Sequence, residues 1–478
     1  MNKPISTSGE SLEHGRPIVF RNGIVLTMDD ARHVLKDCDV LVTGGVIREV
    51  GPGIKAPDDA LEIDARGGII MPGMIDTHRH MWQTAMRAYG ADWTLSQYFV
   101  WYYLEHGKNF RPQDVYAGNL LSAIEAVDAG VTTSVDWSHG LQTIDHADAA
   151  VDALETVPAR FVLAYGNIQS APWEWTADKA FQDFYSRRFD GSDMLGFQIA
   201  FDVVAGPEFP ERAAFEVARE LGVSVNTHAG VLGANGDDSI RLMHDAGFMT
   251  PDTILVHCST LSDDSYHRIA ASGSSVSVST ESEQSAGQGY PSSWKLRQFD
   301  IPITLSHDTS VWWSADLFTA MRTTLGADRS RQHFEAHQKG ESVTQLDLRS
   351  DEVIDWATRG GAKALGMDSK IGSIEVGKRA DIVLIKNDES PVMFPILNPY
   401  GHVTMQAQRA DVHTVVIDGN IVKHEHRLIN IDLAKARSVV EDTVGFLADT
   451  LGEEAWNAGM YPELPEKKAI DNPYHYNK

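Results

Sequence analysis

The stretch IDTHRHMWQ, residues 75–83, places two histidines one residue apart at the end of an apolar run. In a β-strand, residues i and i+2 face the same side, so the side chains of His78 and His80 point together and Arg79 points away. Neutral imidazoles that converge on one point suit a borderline metal ion such as zinc or iron. Two ordinary surface histidines would give the same letters, so the rest of the chain has to support a metal site.

The same pattern recurs at the ends of three later apolar runs. His228 ends VSVNTH, His257 ends TILVH and Asp308 ends PITLSHD. Starting from His80, successive groups are 148, 29 and 51 residues apart. A βα unit takes roughly 30 to 40 residues, so these spacings predict groups at the ends of strands 1, 5, 6 and 8 of a repeating βα fold.

Eight apolar runs alternate with segments of helical periodicity. Such runs are typical of parallel strands that are covered on both faces, and eight is the number in a (β/α)₈ barrel. The sequence therefore predicts a TIM barrel. The runs are residues 69–77, 131–140, 160–167, 196–206, 223–230, 253–260, 275–283 and 302–310.

Both ends of the chain have a different texture from the middle. The N-terminal segment contains short β-rich runs around Asn22-Gly23 and Gly44-Gly45, which are turn signals, and the chain is β-rich again after residue 370. We expect these pieces to join into one small composite β-sandwich domain beside the barrel. The expected division is 1–70 and 369–430 for the β-sandwich, 71–368 for the barrel, and 431–478 for a C-terminal helix and tail.

The composition limits the classes of partner. The 478 residues include 41 Lys and Arg against 67 Asp and Glu, a net charge of −26, which repels nucleic acid and anionic membranes. Two cysteines argue against a disulfide scaffold and a thiolate zinc site. The N-terminus lacks the apolar core of a secretory signal, and no uncharged apolar run approaches the ~18 residues of a membrane span. We expect a soluble cytoplasmic protein with neither nucleic acid nor membrane as a partner.

Several motifs together resemble the amidohydrolase superfamily. They are MPGMIDTHRH, VNTHAG, LVHCS and LSHD in the barrel, with GSIEVGKRADIVLI and VVIDGNIV near the C-terminus. The resemblance extends from the N-terminal β segment to about residue 425. It is greatest to the branch of cytosine and guanine deaminases and triazine hydrolases, whose His-x-His-x-x-Gln start is completed here by Gln83.

The resemblance implies a metal site and a mechanism. His78, His80, His228 and Asp308 would bind one divalent metal ion, zinc in the first place and iron as the alternative, and the ion would activate a water molecule. Asp308 would take the proton of that water, and His257 would face the water or the substrate oxygen. Binuclear relatives carry a lysine on strand 4, and GFQIAFDVVAG contains none, so we expect a single metal ion.

One departure from the resembling branch concerns the leaving group. Many of its deaminases have an acidic residue three positions after the strand-5 histidine, where this chain has Val231. Expelling an amine without a general acid is costly, which weakens the case for ordinary deamination. Glu281 and Glu283, which follow strand 7, are candidates to replace the acid. The alternative is that one or both of these glutamates cap the next helix or lie in solvent.

The segment after strand 1, MWQTAMRAYGADWTLSQYFVWYY, is rich in aromatic residues. Most of them are expected to pack beneath a helix. Trp82 and Trp93 are nearest the site and are the candidates to stack on a flat ligand. Gln83, Glu281 and His257 complete the set of candidate substrate contacts.

The leading prediction is a metal-dependent hydrolase that attacks a C–N bond of a small aromatic or N-heterocyclic compound, by deamination or by ring or amide hydrolysis. The first alternative is a heterocycle-forming cyclocondensation of aromatic amino or hydroxy substrates. The second is a non-catalytic relative that serves as an assembly module, which the loss of metal ligands would mark. The resemblance and the aromatic segment also predict a homodimer.

Overall fold

The computed structural model describes residues 15–189, 191–204, 206–231, 236–314 and 316–464. The expectations for the first fourteen residues and for the extended tail after residue 464 lie outside the described residues.

The strands of the described residues fall into two sheets. In chain order they are β1 (Ile18–Leu26), β2 (Val34–Thr43), β3 (Val46–Gly51), β4 (Leu61–Asp64), β5 (Ile69–Pro72), β6 (Met74–Arg79), β7 (Val131–Ser138), β8 (Arg160–Tyr165), β9 (Leu195–Ala200), β10 (Val225–Ala229), β11 (Ile254–His257), β12 (Ser275–Val278), β13 (Ile303–Leu305), β14 (Ile382–Ile385), β15 (Val412–Ile417), β16 (Asn420–His424) and β17 (Arg427–Leu428).

The α-helices of the described residues lie mostly between β6 and β14 and after β17. They are α1 (Leu95–Tyr98), α2 (Pro112–Asp128), α3 (Ile144–Thr156), α4 (Pro172–Trp175), α5 (Lys179–Arg188), α6 (Arg212–Leu221), α7 (Gly236–Asp245), α8 (Asp263–Ser272), α9 (Thr280–Ala286), α10 (Ser293–Gln298), α11 (Leu317–Gln338), α12 (Ser350–Asp355), α13 (Gly361–Ala364), α14 (Pro399–Met405), α15 (Leu433–Leu451) and α16 (Glu453–Gly459).

Strands β6 to β13 form the predicted barrel. All neighbouring pairs are parallel and follow chain order. A bridge between Arg79 and Asp308 brings the chain after β13 back to the end of β6. Every residue of β11 and β12 is buried, as expected for strands that have helices outside and side chains inside the barrel. The (β/α)₈ prediction is confirmed.

One predicted strand is divided between the two sheets. The run at residues 69–77 was expected to form a single barrel strand, but Ile69–Pro72 belongs to the other sheet and the barrel strand begins at Met74. The chain changes sheet at Gly73, where an added Cβ would collide with the side chain of Thr132. A residue without a side chain therefore allows the two layers to approach closely at this point.

The second sheet combines both ends of the chain, as predicted. Its strand order is β17-β16-β15-β14-β5-β1-β2-β3, and β4 pairs with β1. The junction between the N- and C-terminal parts is the antiparallel pair β5–β14, in which Ile70 lies opposite Leu384. Ile18, Val40 and Val416 belong to its apolar core. The domain limits given above stay a prediction.

The C-terminal helices pack on the barrel beside the aromatic segment. Thr443 of α15 donates a hydrogen bond to Asp114 of α2 at 2.9 Å, and the guanidinium of Arg111 lies 3.3 Å from the ring centre of Phe446. No helix among the described residues combines the length and the apolar character that a membrane span requires.

Candidate metal centre and active-site cavity

Four predicted ligands meet at the carboxyl ends of the barrel strands. The Nε2 atoms of His78 and His80 lie 3.4 and 3.3 Å from Oδ1 of Asp308. Nε2 of His228 lies 3.3 Å from Nε2 of His78. His78, His80 and Asp308 are buried, and His228 is largely so. The fold thus brings together side chains from β6, β10 and the segment after β13.

The donor set and its spacing fit a divalent metal ion. Ligands at ~2.0–2.1 Å from a tetrahedral zinc ion are about 3.3 Å apart, which matches the separations between these atoms. Two imidazole nitrogens that face each other in a buried site need a cation or a shared proton between them. Three nitrogen donors and one carboxylate oxygen are a ligand combination that zinc accepts.

Hydrogen bonds on the far side of two rings aim them at this centre. Nδ1–H of His80 donates to the carbonyl oxygen of Trp137 at 2.8 Å, and Nδ1–H of His228 donates to Oδ1 of Asp202 at 2.9 Å. Each bond leaves Nε2 without a proton and directed inward, which is the tautomer a metal needs.

The electrostatics of the centre favour neutral forms of His78 and His80 and a charged carboxylate on Asp308, whereas the attraction of Asp202 outweighs burial and raises the pKa of His228. Burial lowers the pKa of His80 to about 4 and places the pKa of His78 well below its ordinary value. Burial alone would raise the pKa of Asp308, but the hydrogen bond from His78 and the neighbouring histidines hold it well below the usual range. Metal binding requires these protonation states.

His257 lies beside the four predicted ligands and shares an unusual backbone with one of them. One potential ligand atom from each of His257, His78 and Asp308 lies within 4.8 Å of the others. Nδ1 of His257 is 3.3 Å from Oε1 of the buried Glu283. His257 and Asp308 both have positive φ angles, 74° and 72°, which a minority of non-glycine residues adopt.

A small cavity of about 40 Å³ opens onto these groups. Its walls include Tyr98, Phe99, Tyr103 and Trp312. Tyr98 and Phe99 lie where α1 continues into the π-helix Phe99–His106, so the aromatic segment after β6 covers the site. A cavity of this volume holds a few water molecules, and binding of a ring compound therefore requires the covering segment to move.

Trp82 and Trp93 are not among the residues that line this cavity. Trp82 is fully buried, and its ring fits a slot in which a Cβ on Gly140 would come within 2.7 Å of it. Nε1 of Trp93 donates to the carbonyl oxygen of Gly459 at 3.1 Å. Both rings therefore have the packing role that was expected for most of this segment. Gly140 leaves room for the ring of Trp82, and Gly90 lies against the ring of Trp93.

Gln83 and Glu281 also lie outside the lining. Nε2 of Gln83 donates to the hydroxyl of Tyr98 at 2.7 Å, so Gln83 supports the wall from behind. Glu281 accepts two hydrogen bonds from Oγ of Ser314, at 3.1 and 2.8 Å. Burial raises the pKa of Glu281 to about 8. Of the two glutamates considered for the missing acid, Glu283 is the one that touches a residue of the centre.

Two residues that line the cavity, Asp202 and Gln288, were not among the candidates from the sequence. Asp202 ends the run GFQIAFD, the same position relative to a strand as the histidines, so the strand-end rule applied to every polar residue would have found it. Gln288 stands between two glycines after α9, and nothing in the sequence distinguishes it from an ordinary loop glutamine.

The comparisons with known proteins agree with this architecture. The amidohydrolase family model matches residues 69–422. A 5'-deoxyadenosine deaminase of Methanosarcina acetivorans is 26% identical over 448 residues, which cover 89% of this chain and 98% of that protein. A 5-methylthioadenosine/S-adenosylhomocysteine deaminase of Symbiobacterium thermophilum is 28% identical over 426 residues, 85% of this chain and 93% of that protein.

Solved structures show the same fold at lower identity. An adenosine deaminase from Xanthomonas campestris with bound zinc has a TM-score of 0.76 and 20% identity, covering 90% of this chain and 98% of its own. A triazine hydrolase from Arthrobacter aurescens has a TM-score of 0.77 and 20% identity, covering 90% and 99%. With the family match over most of the barrel and the converging histidines and aspartate, the chain belongs to the amidohydrolase family, and it is a metal-dependent hydrolase of carbon–nitrogen bonds other than peptide bonds.

Proposed function

We propose that this chain hydrolyses a C–N bond of a small aromatic or N-heterocyclic compound, by deamination or by opening of a ring or amide. The observation that carries the proposal is the set of three imidazole nitrogens and one carboxylate oxygen, 3.3 to 3.4 Å apart, at the base of a cavity with aromatic walls. The relatives' names support a heterocyclic substrate, since adenosine derivatives and triazines are nitrogen heterocycles.

His78, His80, His228 and Asp308 would hold one divalent ion, for which the zinc in a structural neighbour supports zinc. When bound, such an ion activates water for attack at neutral pH. Asp308 would accept a proton from the attacking water. Its Oδ2 accepts hydrogen bonds from Ser282 and Gln288, which keep the carboxylate in place.

His257 and Glu283 form a second functional pair. With Nδ1–H of His257 directed at Oε1 of Glu283, the other ring nitrogen faces the centre. In that position the neutral ring would accept a hydrogen bond from the attacking water and orient it. The imidazolium form would donate from the same nitrogen and stabilise the negative charge that develops on the substrate. Glu283 therefore acts by positioning the imidazole of His257.

A second candidate function is a cyclocondensation that forms a heterocycle with loss of water. The observation in its favour is Val231, which lines the cavity at the position where many deaminases of this branch carry an acid. An apolar side chain there supplies no proton to a departing amine. The lining does contain another carboxylate, that of Asp202, which faces the same space.

The cellular compartment and the oligomeric state are proposals as well. We infer a cytoplasmic enzyme that acts as a homodimer, from the resemblance to its branch and from the aromatic segment after β6. Sedimentation of the purified chain tests the dimer directly.

The proposed function is tested on one preparation by elemental analysis and by a screen of amino-heterocycles. We expect about one zinc ion per chain and, from at least one compound, either release of ammonia or a product heavier by one water molecule. A product lighter by one water molecule, without ammonia, would instead support cyclocondensation. A preparation that retains no transition metal after growth and purification with zinc would contradict both functions.

A further inference from the structure

Gln288 is held at the cavity by a turn after α9. It lies between Gly287 and Gly289, whose φ angles are +79° and +128°, and its N–H donates to the carbonyl oxygen of Glu283 at 3.1 Å. Its side chain lines the cavity, although the residue is only 3% exposed. The backbone conformation at both neighbours suits glycine, so the turn is built to present this side chain inward.

Contacts with two distant segments fix this turn, namely the end of β11 with its following loop and helix α11. A Cβ on Gly289 would come within 2.6 Å of the side chain of Ser259, so the turn lies directly against the loop after β11. The hydroxyl of Tyr290 donates to Ala327 O at 2.6 Å, and that of Ser292 donates to His257 O at 2.6 Å. The position of Gln288 is therefore set before any ligand arrives, which lowers the entropy cost of using it in binding.

The contact with Asp308 determines the orientation of the Gln288 amide. Nε2 lies 3.4 Å from Oδ2 of Asp308. A charged carboxylate accepts hydrogen bonds and donates none, so the amide nitrogen faces Asp308 and the amide oxygen faces away from it. Oε1 is buried and has no hydrogen-bond partner among the residues that the structure describes. Buried acceptors are rarely left unpaired, which points to a donor supplied from outside the chain.

Several other polar atoms of the cavity wall are already engaged or also accept, and the hydroxyl of Tyr103 is a further group of the wall that can donate or accept. The hydroxyl of Tyr98 lies 2.7 Å from Nε2 of Gln83 and 3.2 Å from Nε2 of His139. Nε1 of Trp312 donates to Ser282. Asp202 contributes a further acceptor, and none of the described lining residues is a lysine or arginine. The cavity is thus suited to a flat molecule that brings its own donors.

We propose that Oε1 of Gln288 accepts a hydrogen bond from an N–H or O–H group of the substrate. This inference rests on the proposed function, because Asp308 marks the place of the attacked carbon and Gln288 is beside it. The substrate class is then a planar aromatic or heteroaromatic compound that carries a hydrogen-bond donor next to the carbon under attack and no carboxylate or phosphate.

The test compares isosteric ligands that differ in one donor. The probes are 2-aminopyrimidine with 2-methylpyrimidine and adenine with 6-methylpurine, since an amino and a methyl group are similar in size. Their binding to the zinc-loaded protein is measured by calorimetry. We expect the wild type to bind the amino member of at least one pair about tenfold more tightly, the effect of one well-formed hydrogen bond.

The variant Gln288→Met keeps the length of the side chain and removes both amide atoms. We expect it to bind the two members of each pair equally. The protein change and the probe change together form a double-mutant cycle, which measures the interaction between Gln288 and the amino group of the probe. Gln298→Met, on the exposed face of α10, is the matched control and keeps the wild-type preference. If Gln288→Met has no cooperative thermal transition, Gln288→Leu replaces it.

The outcomes separate this inference from the proposed function. Equal binding of amino and methyl probes by the wild type, or an unchanged preference in Gln288→Met, overturns the role of Gln288 while bound zinc and turnover would still support the hydrolase. Loss of zinc and of turnover in the wild type contradicts the proposed function itself. The zinc content of Gln288→Met serves as a further readout, because Gln288 also donates to the proposed ligand Asp308. Loss of zinc together with equal weakening of both members of each probe pair would assign Gln288 to the support of Asp308 and overturn the contact with substrate.

Discussion

The backbone N–H of His80 donates a hydrogen bond to the carbonyl oxygen of Asp308 at 2.8 Å. The N–H of Asp308 in turn donates to the carbonyl oxygen of His78 at 3.1 Å. The barrel therefore closes through His78, His80 and Asp308, three of the four residues whose side chains form the candidate metal centre. The hydrogen bonds that close the barrel also bring these donors together. This explains why the centre depends on residues so distant in sequence.

Replacing Asp308 with asparagine removes a charged ligand and the proposed proton acceptor. We expect Asp308→Asn to lose most of its zinc and to lower turnover by at least about 10²–10⁴-fold, the usual contribution of a general base. Elemental analysis and a turnover assay on one preparation measure both effects. Asp58→Asn, at an exposed position, is the matched control. Full turnover by Asp308→Asn would rule out the assigned mechanism.

Asp202 is expected to strengthen metal binding through His228. Its carboxylate accepts from Nδ1–H of His228 at 2.9 Å and from the backbone N–H of the same residue at 3.0 Å. Loss of such a supporting carboxylate typically lowers metal affinity 10–100-fold. We therefore expect a graded loss, about tenfold in Asp202→Asn, which keeps an acceptor, and closer to a hundredfold in Asp202→Ala. Competition with a chelator measures the affinity, and equal affinities in all three proteins would disprove the role.

The C-terminal helix α16 anchors the segment that covers the cavity. Tyr89 donates to the carbonyl oxygen of Trp456 at 2.6 Å, and a Cβ on Gly459 would collide with the Tyr89 hydroxyl. We expect Gly459→Ala to lower the free energy of unfolding by about 1–3 kcal/mol through overpacking. Urea denaturation measures this change, and a higher KM would show that the covering segment has shifted.

A second glycine provides the control for this substitution. A Cβ on Gly445, inside α15, would meet no atom within 4 Å. Gly445→Ala should leave stability unchanged or raise it by up to about 1 kcal/mol, because alanine is the better helix former. Equal effects of the two substitutions would show that the contact with Tyr89 is unimportant.

The buried Glu281 should make stability depend on pH. Burial raises its pKa from the ordinary 4.5 to about 8. Between these values the folded protein holds a proton that the unfolded chain has released, so the free energy of unfolding falls as pH rises from about 4.5 to 8. Glu281→Gln removes this decline and keeps a hydrogen-bond partner for Ser314.

Chemical denaturation at several pH values compares this variant with the wild type. The stability of Glu281→Gln relative to wild type should grow from pH 5 to pH 8, in the window set by the shifted pKa. Glu341→Gln, an exposed glutamate, should show no such trend. Parallel pH profiles for Glu281→Gln and the wild type would contradict the shifted pKa.

The barrel and the placement of His78, His80, His228, His257 and Asp308 at strand ends were predictable from local patterns. The resemblance to the amidohydrolase superfamily then indicated the family and which four of these residues would be ligands. Each of these residues ends an apolar run, and the alternation of strand residues settles which side chains share a face. Neither rule needs knowledge of any distant segment. The split of residues 69–77 between two sheets was not predictable, because it depends on the contact of Gly73 with Thr132.

The walls of the cavity were decided by contacts between segments far apart in the chain. Trp82 faces into a packed interior because Gly140 leaves space for its ring, and Trp93 does so because Gly459 accepts its hydrogen bond. Gln288 faces the cavity because its turn is pressed against Ser259. The direction of a side chain in a loop has no periodic rule and follows from what packs beside it, so only the folded molecule reveals which residues meet the substrate.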